Sequence, residues 1–591
     1  MATRPRQETR SGAFNSPLGK DALLLSRFDG TEGLSELFEY RIEALSVEPI
    51  PSFDKAIGAN CCVSIKHYGG RTRHFNGVLV NTHWLGRQHE YYSYRLVLRP
   101  WLWLLSRTSN CRTFADKSAL EIVKDVFGKH GFAKFVSRTK ENYPKLKYCV
   151  QYRESDLNFV CRLMEEAGIY YYFDHSESGH QLVLADSKTS HDEKAGGAEL
   201  IYRPITGTQR RIMEHLFLWH PERRFNTGKV VLNDYDFWRP GANLLSQNQS
   251  GGAYQNAKLE VYDYPGKYKD KSVGDTYAKV RLQAEQATDR RCQAEGDAPS
   301  LVPGCMIDLK EHPGSGENRR YLTVNAAHTF VSDTYRSTAQ PLAEEIYQGH
   351  YEFLPDDVPF RAPPVTPKPI IYGPQTAKVA GKGEIDVDKD GCIMVQFHWD
   401  REKQNSRRVR IAQIWSGKAW GGIVIPRVGQ EAVVEFIEGD PDRPLVIGTV
   451  YNRDNTPPYP LPGEKTIAGV KSNSTEGGGG FNEFVFDDKK GSELVRMHAQ
   501  KNMEAVIEND EARKIGHDIT VKVGNVMTVE AGMKIELKVG TSTIVMEPKG
   551  ITIKAPTIMI KADATLDATS PLTTVKGTAI LTLKGGLVLI N

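Results

Sequence analysis

VRMHAQKNMEAVIENDEARKIGHDITVKVGNVMTVEAGMKIELKVGTSTIVMEPKGITIKA, residues 495–555, keeps a single eight-residue rhythm. Small or apolar residues recur in three columns. The first runs Val495, Met503, Ile519, Met527, Ile535, Thr543 and Ile551; the second Met497, Ala505, Val521, Val529, Leu537, Val545 and Ile553; the third Ala499, Ile507, Ile515, Val523, Ala531, Val539 and Ala555. Gly516, Gly524, Gly532 and Gly540 follow the third column directly, and Pro548 and Pro556 take the same slot. Alternation at every second residue predicts a strand with one buried face, and a Gly or Pro at every eighth predicts a corner.

One strand per eight residues leaves its apolar face with nothing opposite. A single-chain β-helix needs three strands per coil, a repeat of about 18 residues or more. An eight-residue rise suits instead a prism in which three identical chains each supply one face. The repeat therefore predicts a homotrimer about a three-fold axis, with a C-terminal trimeric β-helix, or β-prism, as its needle. Glu511, Arg513 and Glu547 fall in the core columns, where they need partners across chains or internal water.

Outward from the needle, 591 residues exceed one hydrophobic core, so several domains are expected. A net charge of +3 with both signs mixed gives no basis for a nucleic-acid partner. The eight cysteines form no CxxC pair and read as free thiols of a reducing cytoplasm. The opening residues lack an apolar signal core and no segment reaches about 18 apolar residues, so any export is expected to bypass the ordinary signal route.

Residues 21–110 read as long strands rich in aromatics: LFEYRIEAL, CCVSIKHYGG, RHFNGVLVNTHWL and YYSYRLVLRPWLWLL. Ala119, Ile122, Val123, Val126 and Phe127 then make an amphipathic helix capped by Ser118 or Asp116. A second helix carries the stripe Leu157, Val160, Leu163 and Met164, with Ser155 as its cap and Gly168 at its end.

YCVQYRESDLNFVCRLMEEAGIYYYFDH, residues 148–175, resembles the signature segment of VgrG, the valine-glycine repeat spike of type VI secretion. FDGTEGLSELFEY, LNDYDFWRP, LEVYDYPGKY and GCMIDLKEHP follow the family's order, as do WGGIVIPRVGQEAVVEFIEGDPDRPLVIGTVYN in the next domain and NEFVFDDKKGSELVRMHAQKN at the needle's entry. The segment REKQNSRRVRIAQ departs from the family, which more often has a Trp just before the RV/RI core. The resemblance implies a mainly β, multidomain chain: phage tail-hub-like barrels with some helices, an OB-fold barrel, then the needle. The division expected is a hub-like base over 1–362, a Pro-rich linker over 363–379, an OB-fold domain over 380–462, a Gly/Ser linker over 463–484 and the spike over 485–591. Within the fourth of these, a phage spike holds a lysozyme domain for which about twenty residues leave no room.

The implied partners are the hexameric Hcp tube, which a pseudo-six-fold base would cap, a PAAR-repeat tip protein, baseplate proteins, effectors or their adaptors, and transiently a target-cell membrane. The implied location is the bacterial cytoplasm, followed by secretion through the apparatus without a signal peptide. The candidate tip-docking residues are Leu587, Val588, Leu589, Ile590 and Asn591: three such ends on the axis would present an apolar platform with open strand edges. With the chain stopping at Asn591, no appended effector domain is expected.

No enzyme and no cofactor are expected: there is no GxSxG, no HExxH and no P-loop, and Gly477 to Gly480 lack the Lys-Ser/Thr of a phosphate cradle. Glu165 and Glu166, adjacent on a helix, read as a solvated pair. His498 is out of phase with the inward columns and should point outward. Trp399, Trp415 and Trp420 read as core or interface before stacking platforms, and Asp440 and Asp442 as a capped turn before a metal site. The alternatives are the hub-spike of another contractile injection device or prophage tail and, from a different class, a carbohydrate-active β-helix enzyme, which would need a carboxylate-lined groove.

Overall fold

The computed structural model describes residues 5–205, 213–332, 346–403 and 407–590. These fall into two compact units, Met1–Gln500 and Lys501–Asn591.

The first unit is mainly β and is built on a thirteen-stranded sheet that curls into two barrel-like halves. In the first half the order is Gly12–Asn15, Asn60–Lys66, Thr72–Gln88, Tyr91–Arg99, Glu39–Ser46, Leu24–Gly33. Between the outer two of these strands the seam is made by one buried side chain. The Gln7 amide oxygen accepts from Phe14 N (2.9 Å) and Leu25 N (2.8 Å), and its amide nitrogen donates to Phe14 O (3.2 Å) and Leu23 O (3.1 Å). A glutamine side chain thus stands in for a backbone ladder between Phe14 on one side and Leu23 and Leu25 on the other.

Arg320–Val331 belongs to both halves. It pairs with Leu24–Gly33 on the side of the first and with Ile346–Pro355 on the side of the second, and its start also pairs with Cys305–Lys310. The order Arg320–Val331, Ile346–Pro355, Arg290–Gly296, His215–Arg223, Glu199–Tyr202, Cys305–Lys310 therefore closes on itself as a ring, around Trp219, Tyr321, Tyr351 and Phe353.

A polar chain runs through the first half's aromatic core. Glu32 takes two bonds from Arg73 (3.0 and 3.1 Å) and one from the Tyr40 hydroxyl (2.6 Å). His175 meets Tyr40 at Nε2 (3.2 Å) and accepts from Asn76 N at Nδ1 (3.2 Å). His180 accepts from Trp101 N at Nε2 (2.8 Å) and meets Asn76 Oδ1 at Nδ1 (2.9 Å), the pattern of a neutral ring. Burial pushes His180 down to about 3 and His191 to about 4, and burial with the Arg73 charge pushes His175 and His328 well below the usual range. An unfolded histidine titrates near 6.5, so between that value and the folded one the unfolded chain binds more protons. The rings' contribution is intact above pH 6.5 and is lost as pH falls, on the order of 3 kcal/mol each for His180 and His191 by pH 4 at about 1.36 kcal/mol per unit. Urea melts between pH 7 and 4 should show it, and His180→Gln should lower the proton uptake on unfolding by about one. An unchanged slope in that variant would refute the assignment.

Two predicted helices form with their predicted caps. Helix α1, Ala119–Gly128, starts on a reciprocal Ser118–Glu121 capping box. Helix α2, Asp156–Ala167, is capped by Ser155 and stops at Gly168 in the left-handed conformation, φ 73°. Helix α3, Lys271–Gln286, is one the sequence reading did not anticipate. Its buried Ala278, Val280, Leu282 and Ala284 sit at every second residue, a strand-like pattern. As a helix this spacing spreads them around its circumference. Ala278 and Leu282 pack on Val230, Leu232 and Tyr268, while Val280 faces Gly168 at the end of α2.

The collar is a five-stranded sheet in the order Arg408–Val409, Ile393–Phe397, Gln375–Ala380, Glu431–Phe436, Pro444–Val450. A parallel bridge between Ile411 and Val446 closes it into a small barrel around Val379, Val395, Val434 and Phe436. Beyond it, Ile467–Lys471, Glu483–Asp487 and Leu494–His498 form an antiparallel sheet. Part of the stretch read as a Gly/Ser linker is thus a strand: Ile467–Lys471 pairs along its whole length with Glu483–Asp487, and Gly469 lets the Phe484 backbone approach.

Candidate functional site: the needle face and the collar junction

In the second unit no described residue is buried, from 501 to 590. Regular strands occupy Ile535–Val539, Ser542–Glu547 and Gly550–Lys554, an antiparallel meander. Its register aligns Ile535, Met546 and Ile551 in one row and Leu537, Ile544 and Ile553 in the next. This differs from the predicted columns, which put Val545, not Ile544, with Leu537. Columns of period eight need neighbouring strands supplied around a shaft; one chain alone satisfies its strand hydrogen bonds by folding back at Gly540 and at Pro548. The resulting apolar face is uncovered, with Leu537 58% and Ile551 69% exposed. Isolated apolar residues on a surface need no explanation, but a continuous face does.

The charged intruders in the columns are paired within the chain, Arg513 with Glu511 (2.5 Å) and Lys549 with Glu547 (2.8 Å). His498 is exposed, its Nδ1 3.1 Å from Phe481 O. At the tip Leu587, Val588, Leu589 and Ile590 are all exposed, and Asn591 lies outside the described residues.

The collar meets the base through its GDPDRP turn, residues 439–444. Asp442 N donates to Asp440 Oδ1 (2.8 Å), and Lys368 reaches both carboxylates (2.7 Å to Asp440, 2.6 Å to Asp442). Asp442 also accepts from Val150 N of the base (2.7 Å), and Arg443 pairs with Asp234 (2.6 Å). Burial works against charge here, but Lys368 outweighs it and holds Asp440 below the usual carboxylate range, while Asp442 and Asp440 hold the Lys368 ammonium above its own. The two aspartates therefore anchor a buried lysine. Among the described residues no cluster of three or more His, Cys, Asp or Glu is placed for a metal.

The reading of Glu165 and Glu166 as a solvated pair is corrected by the same junction. Glu165 accepts from Thr366 N (2.9 Å) and Oγ1 (2.6 Å), and Glu166 pairs with Lys267 (2.5 Å). Burial pushes Glu165 up; at Glu166 burial is overcome by Lys267 and Lys368, which bring it to about 2. Each carboxylate has its own structural partner, on chain segments far away in sequence. Trp399 stacks on Phe397 and meets Tyr152 of the base edge-on, with Nε1 donating to Gln375 (2.9 Å). Trp415 and Trp420 pack edge-to-face on an exposed hairpin, Trp415–Gly417 with Trp420–Gly422.

Family comparison divides the chain along these lines. Residues 31–334 match the phage tail baseplate hub (GPD), 376–451 the type VI secretion system/phage-baseplate injector OB domain, and 468–567 the bacteriophage T4 gp5 C-terminal trimerisation domain. The type VI secretion system spike protein VgrG1b of Pseudomonas aeruginosa is 40% identical over 522 residues, 87% of this chain and 70% of that one. VgrG1a of the same organism is 40% identical over 519 residues, 86% of this chain and 80% of that one. A solved E. coli structure, c3393, described as a type VI component similar to T4 tail proteins gp27 and gp5, shares the fold with a TM-score of 0.54 at 18% identity, covering 74% of this chain and 99% of that one. With barrels, collar and trimerisation segment in this order, and this identity along most of its length, the chain belongs to the VgrG family of type VI secretion system spike proteins.

Proposed function

We propose that three copies of this chain form a mechanical spike: a base over 1–362 that caps the hexameric Hcp tube, a collar over 380–462 held by the Pro-rich segment 363–379, and a needle over 485–591 entered through 463–484. A PAAR-repeat protein sits on the tip, effectors or their adaptors ride on either end, and baseplate proteins hold the hub before firing. The spike is made in the bacterial cytoplasm and leaves through the apparatus. It works without catalysis, by transmitting load through a sheet shared between chains as it crosses a target membrane.

The observation that carries this reading is the needle: apolar columns recur through residues 495–555, yet not one of the ninety described residues 501–590 is buried in the single chain. Apolar surface on that scale is stable only when covered, and identical chains in a shaft cover it. The two barrel-like halves of each base support the cap, since three chains carry six.

The test is a binding assay on the immobilised full-length protein with purified tube and tip proteins. Both should bind, and deleting residues 585–591 should abolish tip binding while tube binding and assembly persist. Unchanged tip affinity in the truncated protein would remove Leu587, Val588, Leu589, Ile590 and Asn591 as the docking platform, and failure of the tube to bind would remove the cap.

A further inference from the structure

One stretch of the collar exposes more apolar surface than a free face of its length warrants. Residues 411–426, IAQIWSGKAWGGIVIP, hold a single charged residue, Lys418, in a chain that averages 25% charged. They carry the hairpin Trp415–Gly417 with Trp420–Gly422, a two-stranded sheet to which no further strand is added among the described residues. Ile414, Trp415, Trp420, Ile423 and Val424 are all exposed, Ile414 to 93%. A two-stranded hairpin is marginal in water unless something packs on it, and neighbouring apolar residues this exposed mark a surface that another molecule covers.

The hairpin is nonetheless firmly built. The Gln413 side chain bridges its open end: Oε1 accepts from Val424 N (2.9 Å) and Nε2 donates to Val424 O (3.2 Å). Trp415 and Trp420 meet edge-to-face at 4.9 Å. Trp420 lies over Gly417 and Ile414 over Gly422, each where a Cβ would collide with it. The apolar groups are held in place before a partner arrives, which lowers the entropy cost of covering them.

What covers them follows from what the hairpin is tied to. Three residues beyond Val424, Arg427 pairs with Glu384 and donates to Asn473 O (2.6 Å), and Glu384 also accepts from Gly477 N (3.4 Å). Asn473 and Gly477 lie within residues 468–567, the stretch that matches the gp5 trimerisation domain. In the strands at the start of that stretch Val470, Val495 and Met497 are likewise exposed. The base of the hairpin is therefore bonded to the segment that brings three chains together, and a patch with one lysine offers little to a charged partner.

We propose that this hairpin docks on a second copy of the chain, so that three hairpins close on one another as an apolar ring at the collar. The ring is a clasp additional to the needle, which supplies the larger shared surface. It presupposes the three-chain spike.

The experiment is hydroxyl-radical footprinting of the full-length protein, read by mass spectrometry, with light scattering on the same sample. Each tryptophan's oxidation rate is referred to its rate in the urea-unfolded chain. With Trp415 65% and Trp420 58% exposed, a single chain allows only about twofold protection, whereas the ring should give tenfold or more. Ile423→Asp sets three like charges in an apolar ring. It should raise the labelling of both tryptophans at least fivefold and speed subunit exchange between differently labelled trimers at least tenfold, while scattering still gives three times 66.2 kDa. A trimer whose Trp415 and Trp420 are labelled as a single chain allows overturns the clasp and leaves the trimer standing, with the hairpin free for a partner of another kind. So does a trimer in which Ile423→Asp changes neither labelling nor exchange. A wild-type monomer removes the trimer itself, and the clasp with it.

Discussion

The purified protein is expected to scatter light as three times 66.2 kDa, and a pair of aspartates in the needle, Val521→Asp with Val529→Asp, should abolish that assembly. Both positions lie in the second column, and both are about 60% exposed in the single chain, Val521 63% and Val529 61%. The substitutions therefore cost the isolated chain almost nothing. In a three-chain shaft each aspartate is buried against two copies of itself. Like charges without partners in an apolar core cost several kcal/mol each, and three-fold symmetry multiplies the repulsion. A loss of at least a hundredfold in apparent assembly affinity is expected. Aspartate at Lys522, one residue out of phase, should leave the trimer intact. A wild-type monomer at micromolar concentration that keeps its β signal, or a trimer that tolerates both aspartates, would defeat the reading.

Local signals were legible wherever one residue's chemistry decides the backbone. Ser118 with Glu121, and Ser155 with Gly168, bound their helices because orphan N–H groups and a left-handed end need those side chains. Helix α3 was hidden because alternation at 278, 280, 282 and 284 is ambiguous without knowing that it packs on more than one side. Barrel closure through Gln7 was equally illegible: one polar side chain replaces a strand ladder, and no periodicity marks it. The eight-residue columns announced the needle, yet within a single chain Ile544, not Val545, stands opposite Leu537. Register belongs to the assembly, and the sequence of one chain encodes the face but not which strand lies beside it. The collar junction escaped for another reason. Val150, Asp234, Lys368 and Asp442 are separated by long stretches of chain, and only the fold makes Asp440 and Asp442 partners of a lysine.

That junction yields the second large effect, in Lys368→Met. The substitution keeps the aliphatic stem but leaves the Asp440 and Asp442 carboxylates facing each other in a mostly buried site. Removing one member of a buried ion pair typically costs about 3–5 kcal/mol, because the remaining charge is desolvated and unpaired. Here two charges remain, and Asp442 also supplies the acceptor for Val150 N, so repulsion within the turn pulls directly on the base–collar contact. The loss should be local. Hydrogen exchange in residues 363–374 and in the turn 439–444 should speed up at least a hundredfold, and protease should cut the Pro-rich segment, while the base barrels and the trimer persist. The same shift gives a sign for pH. Asp440 is held below its ordinary value, so its stabilising contribution is present above the unfolded carboxylate range and is lost as pH falls through the folded value. Acid should therefore loosen the wild-type collar, whereas in Lys368→Met mild acid should tighten it by neutralising the stranded pair. Adding Asp440→Asn and Asp442→Asn to Lys368→Met should restore much of the protection, since neutral amides remove the repulsion and can still accept from Val150 N. If Lys368→Met leaves exchange in both segments unchanged, or the triple variant is no better protected than the single one, the lysine does not hold the collar to the base.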